Sequence, residues 1–255
     1  MYIDFIKFLF SSRNSHSIHS PFVFDFYRKI FKVKKVELCF EKIESLRQIQ
    51  LKNKLEIPIQ DFGAGSRHSK NAKRTIGNIT YHSSKKPKWA QLLFRITRAY
   101  NYLNIIELGT SVGFTTAYLA SSNSKATVYS FEGCTSTLEV ARENLQKLNL
   151  HNVDFIEGNI GETLPNLLQN IESIDFVFFD ANHQYEPTLQ YFEVCLTKIN
   201  KKSCFVFDDI YWSNEMKLAW NTIKSRKEVK LSIDLFFIGI VFFDEAFTKQ
   251  NFKLR

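Results

Sequence analysis

From residue 104 onward the chain alternates in a regular rhythm, with short runs rich in Ile, Val and Phe each followed by a more polar stretch. The runs "NIIELG" (104–109), "ATVYSFEG" (126–133), "VDFIEG" (153–158), "IDFVFFD" (174–180) and "SCFVFDD" (203–209) read as strands. Between and after them, apolar spacing predicts helices beginning near Gly113, Thr135, Gly161, Glu186 and Glu215. In the second helix Leu138, Ala141, Leu145 and Leu148 share one face. Thr135 is placed to cap it, with Glu139 in its first turn. Strands that alternate with helices in this way predict a parallel sheet wrapped on both faces. The rhythm breaks at "VKLSIDLFFIGIVFFD" (229–244), where two strands around Gly239 leave no room for a crossover helix and must run antiparallel. The expected fold class is α/β, with five parallel strands and a C-terminal antiparallel hairpin.

The first hundred residues follow another pattern. "SPFVFDFYRKIF" (20–31) predicts a helix capped by Ser20 with Pro21 in its first turn. "VELCFEKIESLRQIQLKNKL" (36–55) and "KPKWAQLLFRITRAYN" (86–101) predict two more. Residues 1–85 are therefore read as a helical extension or lid, and 86–255 as the main domain.

Charge divides the chain at about the same place. Residues 1–103 hold 20 basic against 7 acidic side chains, and the remainder holds 14 against 19. Two readings follow: a solvated basic face, or attraction of an anionic substrate or nucleic acid. Cys39, Cys134, Cys195 and Cys204 are scattered without a CxxC pair, which argues against a zinc site or a disulfide framework and for a reduced, cytoplasmic protein. The apolar start "MYIDFIKFLFSSR" is interrupted by Asp4 and Lys7 and makes a poor signal peptide. The longest apolar run, "LFFIGIVFF" (235–243), is about half of what a membrane-spanning helix needs, so no membrane partner is expected.

Two glycine-rich turns follow an acidic residue: "DFGAGSRHSK" (61–70) and "ELGTSVGFTT" (107–116). A nucleotide-binding turn should leave a buried strand and open a helix. Glu107 ends "NIIEL", and "FTTAYLASS" after Gly113 reads as a buried helix, with Gly109 and Gly113 permitting close backbone approach. The segment before Asp61, "EIPIQ", contains Pro58, and the residues after Gly65 are polar and basic, so this turn is expected to be a loop.

The sheet pattern and the E-x-G-x-x-x-G spacing of residues 107–113 resemble the class I methyltransferases, which bind S-adenosylmethionine. The resemblance covers about 150 residues and makes 86–255 the S-adenosylmethionine-binding domain. It implies that Glu107, Gly109, Thr110, Ser111 and Gly113 surround the methionine part of the cofactor. Glu132, at the end of the next strand, would accept hydrogen bonds from the two ribose hydroxyls. Asn159 would lie near the adenine.

Asp180 ends the fourth strand of the series and Asp208–Asp209 the fifth. Ligands of parallel α/β sheets bind beyond these strand ends, and several carboxylates brought together there would favour a hard divalent cation such as Mg²⁺. The alternative is that one Asp, such as Asp180, binds the cofactor amine while another caps a helix. The arrangement is similar to the metal-dependent O-methyltransferases of the catechol, caffeoyl-CoA and macrolide- or aminocoumarin-sugar types. That resemblance implies metal ligation by Asp180, Asp208 and Asp209, and catalytic roles for Asp180 and His183, the latter as general base. Tyr185, Tyr211 and Trp212 are candidates to line the acceptor pocket, although core packing explains aromatics equally well. His16 and His19 are read as part of a helix-capping turn.

"HSIHSPFVF", "DFGAGSR", "ELGTS" and "DDIYWSNEMKLAW" together also resemble a group of bacterial class I methyltransferases, a resemblance that names no acceptor. The expected activity is methyl transfer to a hydroxyl of a small-molecule acceptor, an anionic one being compatible with the basic region. The alternatives are an RNA or protein methyltransferase that uses the basic region, a metal-independent small-molecule methyltransferase, and a non-catalytic cofactor-binding protein that uses the same turn. The aromatic-rich N-terminal segment could serve a homodimer interface.

Overall fold

A computed structural model describes residues 2–14, 18–60 and 73–255. "DFGAGSRHSK" and His16 lie outside the described residues. The chain divides into two compact units, one built from residues 34–163 and the other from 1–33 together with 164–255.

In the 34–163 unit, β3 (Asn104–Leu108), β4 (Thr127–Glu132) and β5 (Val153–Glu157) are parallel neighbours. Helix α6 (Phe114–Ser122) follows β3 and α7 (Thr135–Lys147) follows β4, each within a residue of the start that the sequence pattern predicts. Every residue of α6 except Ser121 is buried, as expected of a helix enclosed by its neighbours. Ahead of β3 stand α3 (Leu38–Leu51), α4 (Ile76–Ser83) and the strongly amphipathic α5 (Pro87–Ala99). Phe40, Ile43, Leu46, Phe94, Phe114, Tyr118 and Leu145 make the core of this unit. Two three-residue strands, β1 (Glu56–Pro58) and β2 (Lys73–Thr75), pair antiparallel. "EIPIQ" therefore belongs to a short ribbon and not to the parallel sheet. Thr135 is not the cap of α7: the cap is Cys134, in extended backbone, and its N–H is satisfied by the Glu132 carboxylate at 2.9 Å.

Helix α8 (Ile160–Asn170) follows β5. In the other unit the strand order is β10 (Gln250–Lys253), β8 (Leu231–Asp234), β9 (Ile238–Phe242), β7 (Ile199–Asp208), β6 (Ile174–Phe179). Here β6 and β7 are parallel, with α9 (Tyr185–Leu196) as the crossover. After α10 (Asn214–Ser225) come β8 and β9, and β9 is antiparallel to both β7 and β8. The hairpin forms as expected, but its turn is Leu235–Phe237 and Gly239 lies inside β9. The reason for that glycine is Trp220 of α10, whose ring would sit 2.8 Å from a Cβ at this position.

The sequence pattern does not announce β10, which adds to the edge parallel to β8. Helices α1 (Tyr2–Ser11) and α2 (Pro21–Phe26) complete the unit, and a π-helical turn over Tyr27–Phe31 continues α2. Ser20 caps α2 as expected, its Oγ accepting from the Val23 N–H. Between α1 and α2, Arg13 forms a parallel bridge with Leu254, and its N–H donates to the Lys253 carbonyl at 2.7 Å. No described helix is long and apolar enough to cross a membrane.

Candidate active site

The turn that leaves β3 is built from backbone conformations few residues adopt. Gly109, Ser111 and Gly113 all have positive φ, at 108°, 49° and 81°. Gly113 caps α6, and a Cβ there would lie 2.9 Å from Ala141 Cβ and 3.0 Å from Leu145 Cδ1. Glycine is thus required twice, for its left-handed backbone and for the close approach of α7. The N–H groups of Gly109 and Thr110 both donate to the Phe131 carbonyl of β4 at 3.0 Å, holding the turn against the neighbouring strand.

Two carboxylates organise the turn. Glu107 is fully buried beneath it, with Oε2 accepting from Thr116 Oγ1 at 2.5 Å and Ser130 Oγ at 2.6 Å. Register explains the second contact, since Glu107 of β3 stands opposite Ser130 of β4. Ser130 Oγ also lies 2.6 Å from Thr110 Oγ1, so the polar group continues into the turn. Charge-assisted hydrogen bonds of this kind are the strong ones, and they are what makes a buried carboxylate tolerable.

Glu132 lies partly exposed at the end of β4. Its Oε2 accepts from the Ser111 N–H at 2.7 Å and its Oε1 from the Cys134 N–H at 2.9 Å. Each carboxylate oxygen has a further lone pair, so these bonds do not exhaust its accepting capacity. Asn159 is exposed and opens α8: its Oδ1 accepts from the Gly161 N–H at 2.9 Å, while its carbonyl accepts from Glu162 and Thr163.

A second polar centre lies in the other unit. Donor atoms of Asp180, His183 and Asp208 all fall within 4.8 Å of one another. Asp180 and Asp208 stand at the carboxyl ends of the parallel strands β6 and β7. His183 Nε2 is 3.7 Å from Asp180 Oδ1. Asn182 and His183 both have positive φ, at 64° and 32°. Non-glycine residues held in this way often mark functional loops. Packing supports the loop: Asn182 Nδ2 donates to the Tyr191 hydroxyl at 2.7 Å, and Glu215 accepts from the Tyr185 N–H at 3.0 Å. Asp209, also at positive φ, is not in the group of three; its N–H donates to the Phe237 carbonyl at 2.8 Å.

The aromatic candidates separate in the structure. Tyr211 stacks on Phe236 at 4.7 Å and donates to the buried Asp234 at 2.8 Å, a packing role. Trp212 is exposed, and Tyr185 begins α9. His19 directly precedes the cap of α2.

Residues 106–210 match a family described as a methyltransferase domain. Solved structures similar to the chain include methyltransferases. The O-methyltransferase from Bacillus cereus in complex with SAH is 18% identical, with a TM-score of 0.59, covering 83% of this chain and 93% of that one. The O-methyltransferase TomG from Streptomyces achromogenes, involved in tomaymycin synthesis and solved with SAM, is 17% identical with a TM-score of 0.58, covering 86% and 95%. Among curated proteins, R132 of Acanthamoeba polyphaga mimivirus is 34% identical over 83 residues, 31% of this chain and 35% of R132. The match thus spans about a third of that relative's length. Within residues 106–210 the chain thus matches a methyltransferase domain, and its Rossmann-like fold is that of the solved methyltransferases it is similar to.

Proposed function

We propose that the protein is an S-adenosylmethionine-dependent O-methyltransferase that modifies a hydroxyl of a small molecule with the help of a divalent cation. The observation that carries the cofactor assignment is the turn at 109–113, tied by the Ser111 N–H to the carboxylate of Glu132 inside the segment that matches the methyltransferase family. S-adenosylmethionine supplies a methyl on a sulfonium, a good leaving group, so the chain's task is mainly to position the two reactants. Glu132 accepts the ribose hydroxyls on its remaining lone pairs. Asn159 lies near the adenine. Glu107, with Thr116 and Ser130, holds the turn from beneath, so that Gly109–Gly113 can surround the methionine part.

The cation assignment rests on Asp180 and Asp208, which bring two hard oxygen donors together with an imidazole. Asp209 is the third candidate ligand. A bound cation supplies positive charge that lowers the pKa of the acceptor hydroxyl. His183 takes the hydroxyl proton, with Asp180 Oδ1 3.7 Å away to steady the resulting imidazolium. The basic excess of residues 1–103 favours an acceptor that carries negative charge.

Two measurements test the reading. Titration of S-adenosylhomocysteine by calorimetry should show binding that EDTA leaves unchanged and that Glu132→Ala weakens at least tenfold. Transfer of labelled methyl to a panel of dihydroxy aromatic acids should require Mg²⁺ and be lost in Asp180→Asn. Full transfer in EDTA would remove the cation from the proposal, and no binding of the thioether would remove the cofactor itself. Methylation of RNA in preference to the panel, with steep salt dependence, would reassign the acceptor.

A further inference from the structure

Helix α3 lies in the region that the sequence pattern sets apart from the main domain, yet it reaches the cofactor turn through a file of amides. The Leu55 N–H donates to Asn53 Oδ1 at 3.0 Å, and Asn53 Nδ2 donates to Gln50 Oε1 at 2.9 Å. Gln50 Nε2 then donates to Asn144 Oδ1 at 2.7 Å, across 94 positions of sequence. Asn144 Nδ2 ends the file by donating to the Val112 carbonyl at 3.0 Å. Each oxygen accepts and each nitrogen donates. Reversing any one amide would set donor against donor, so the first link fixes the direction of all of them.

The last link acts on one peptide. The Val112 carbonyl is held by Asn144, and the N–H of the same peptide, on Gly113, donates to the Thr110 carbonyl at 2.9 Å. Both ends of the peptide plane are thereby fixed, at the residue whose φ of 81° turns the chain into α6. Asn144 sits on α7 beside Leu145, which with Ala141 bounds the space at Gly113. Gln50 and Asn144 are 4% and 0% exposed within an otherwise apolar neighbourhood that includes Val112 and Leu145. Buried amides in such surroundings are costly unless fully bonded, and a bonded file specifies a single arrangement.

We propose that Gln50 and Asn144 are positioning residues for the cofactor turn, setting the Val112–Gly113 peptide so that the turn has its ligand-binding shape before the ligand arrives. The inference rests on the assignment of residues 109–113 to S-adenosylmethionine. Neither side chain touches the ligand; they act through Val112. The Asn144→Asp variant keeps the acceptor for Gln50 but turns an oxygen toward the Val112 carbonyl. The Gln50→Leu variant removes the link before it.

The test is titration of S-adenosylhomocysteine into the full chain at a temperature where urea curves show each variant folded. Loss of one buried hydrogen bond predicts a Kd raised about tenfold in Asn144→Asp, and somewhat less in Gln50→Leu. Thr97→Val is the control for general destabilisation, because the Thr97 hydroxyl it removes donates within α5, to the Leu93 and Phe94 carbonyls, and should leave the Kd unchanged. If Asn144→Asp does not fold, Gln50→Leu decides alone. An unchanged Kd in the folded variants, with the wild type binding normally, overturns the positioning role. A Kd raised equally by Thr97→Val overturns it too. A wild-type chain that does not bind the thioether refutes the cofactor assignment instead, so the two failures are distinct.

Discussion

Replacing Gly113 with alanine should damage the protein by an amount that can be worked from its surroundings. A left-handed backbone costs a non-glycine residue about 1–2 kcal/mol. The new Cβ would also stand 2.9 Å from Ala141 Cβ and 3.2 Å from Ala141 Cα, with no flexible side-chain end to yield at the latter. Overpacking of this kind costs about 1–3 kcal/mol. The sum, roughly 2–5 kcal/mol, is a large part of the 5–15 kcal/mol that stabilises a typical domain. Two other glycines separate the contributions. Gly158 has a φ of 125° but only Thr163 Cγ2 at 3.3 Å, so Gly158→Ala isolates the backbone strain at about 1–3 kcal/mol. Gly161, without positive φ and with Asn159 Oδ1 at 3.4 Å, should accept alanine with a gain of about 0.4–1 kcal/mol through the unfolded chain. Urea denaturation at constant slope measures all three. The order 161, 158, 113 from most to least stable is expected. A Gly113→Ala variant as stable as Gly161→Ala would refute the argument that α7 and the turn are locked together.

Three further outcomes follow from the geometry. Ser130→Ala removes one of the two hydroxyls on Glu107 Oε2 and should cost about 1–3 kcal/mol in the same denaturation assay, together with weaker binding of S-adenosylhomocysteine. Asp208→Asn should abolish Mg²⁺-dependent methyl transfer while leaving thioether affinity within about twofold of wild type by calorimetry, a difference under 0.5 kcal/mol. Burial, with Asp234 beside Tyr211 and Glu44 beside Tyr118, raises both phenols above the ordinary value of 10.0. A raised folded-state pKa means stability that is complete below the unfolded value and lost as pH rises above it. Urea midpoints should therefore fall above about pH 10, and Tyr211→Phe should flatten that decline.

Much of the architecture was legible because its signals are local. Ile, Val and Phe runs ending in an acidic residue marked the strands, and glycine at 109 and 113 marked the turn. What stayed hidden depends on distant partners. Leu235–Phe237 carries none of the usual turn residues; it turns because the Asp234 carboxylate accepts from the Phe236 N–H and Tyr211 stacks on the Phe236 ring. Gly239 looked like the pivot, but its reason is Trp220. The Cys134 cap is set by Glu132, not by the capping propensity of Thr135. In the candidate site, the positions of the turn, Glu132 and Asp180 at strand ends are legible in the sequence, while the roles proposed for them and for His183 rest on the resemblance to methyltransferases. The roles of Ser130 and Asn144 are not legible there, because strand register and a contact across 94 positions create them.

The bridge between Arg13 and Leu254 has a consequence for the order in which the chain can fold. Synthesis delivers Arg13 early, but the carbonyl that takes its N–H belongs to Lys253, and the Tyr27 hydroxyl donates to the carbonyl of Arg255. The 34–163 unit has all its strands and helices in one continuous stretch and can close while the rest is still being made. The other unit cannot: Phe8 and Phe26 must wait for their partners Phe236 and Phe242, and Arg13 for Lys253, all more than two hundred positions later. Such long-range closure slows folding, and the exposed interval is when a newly made chain is most open to chaperones and to aggregation.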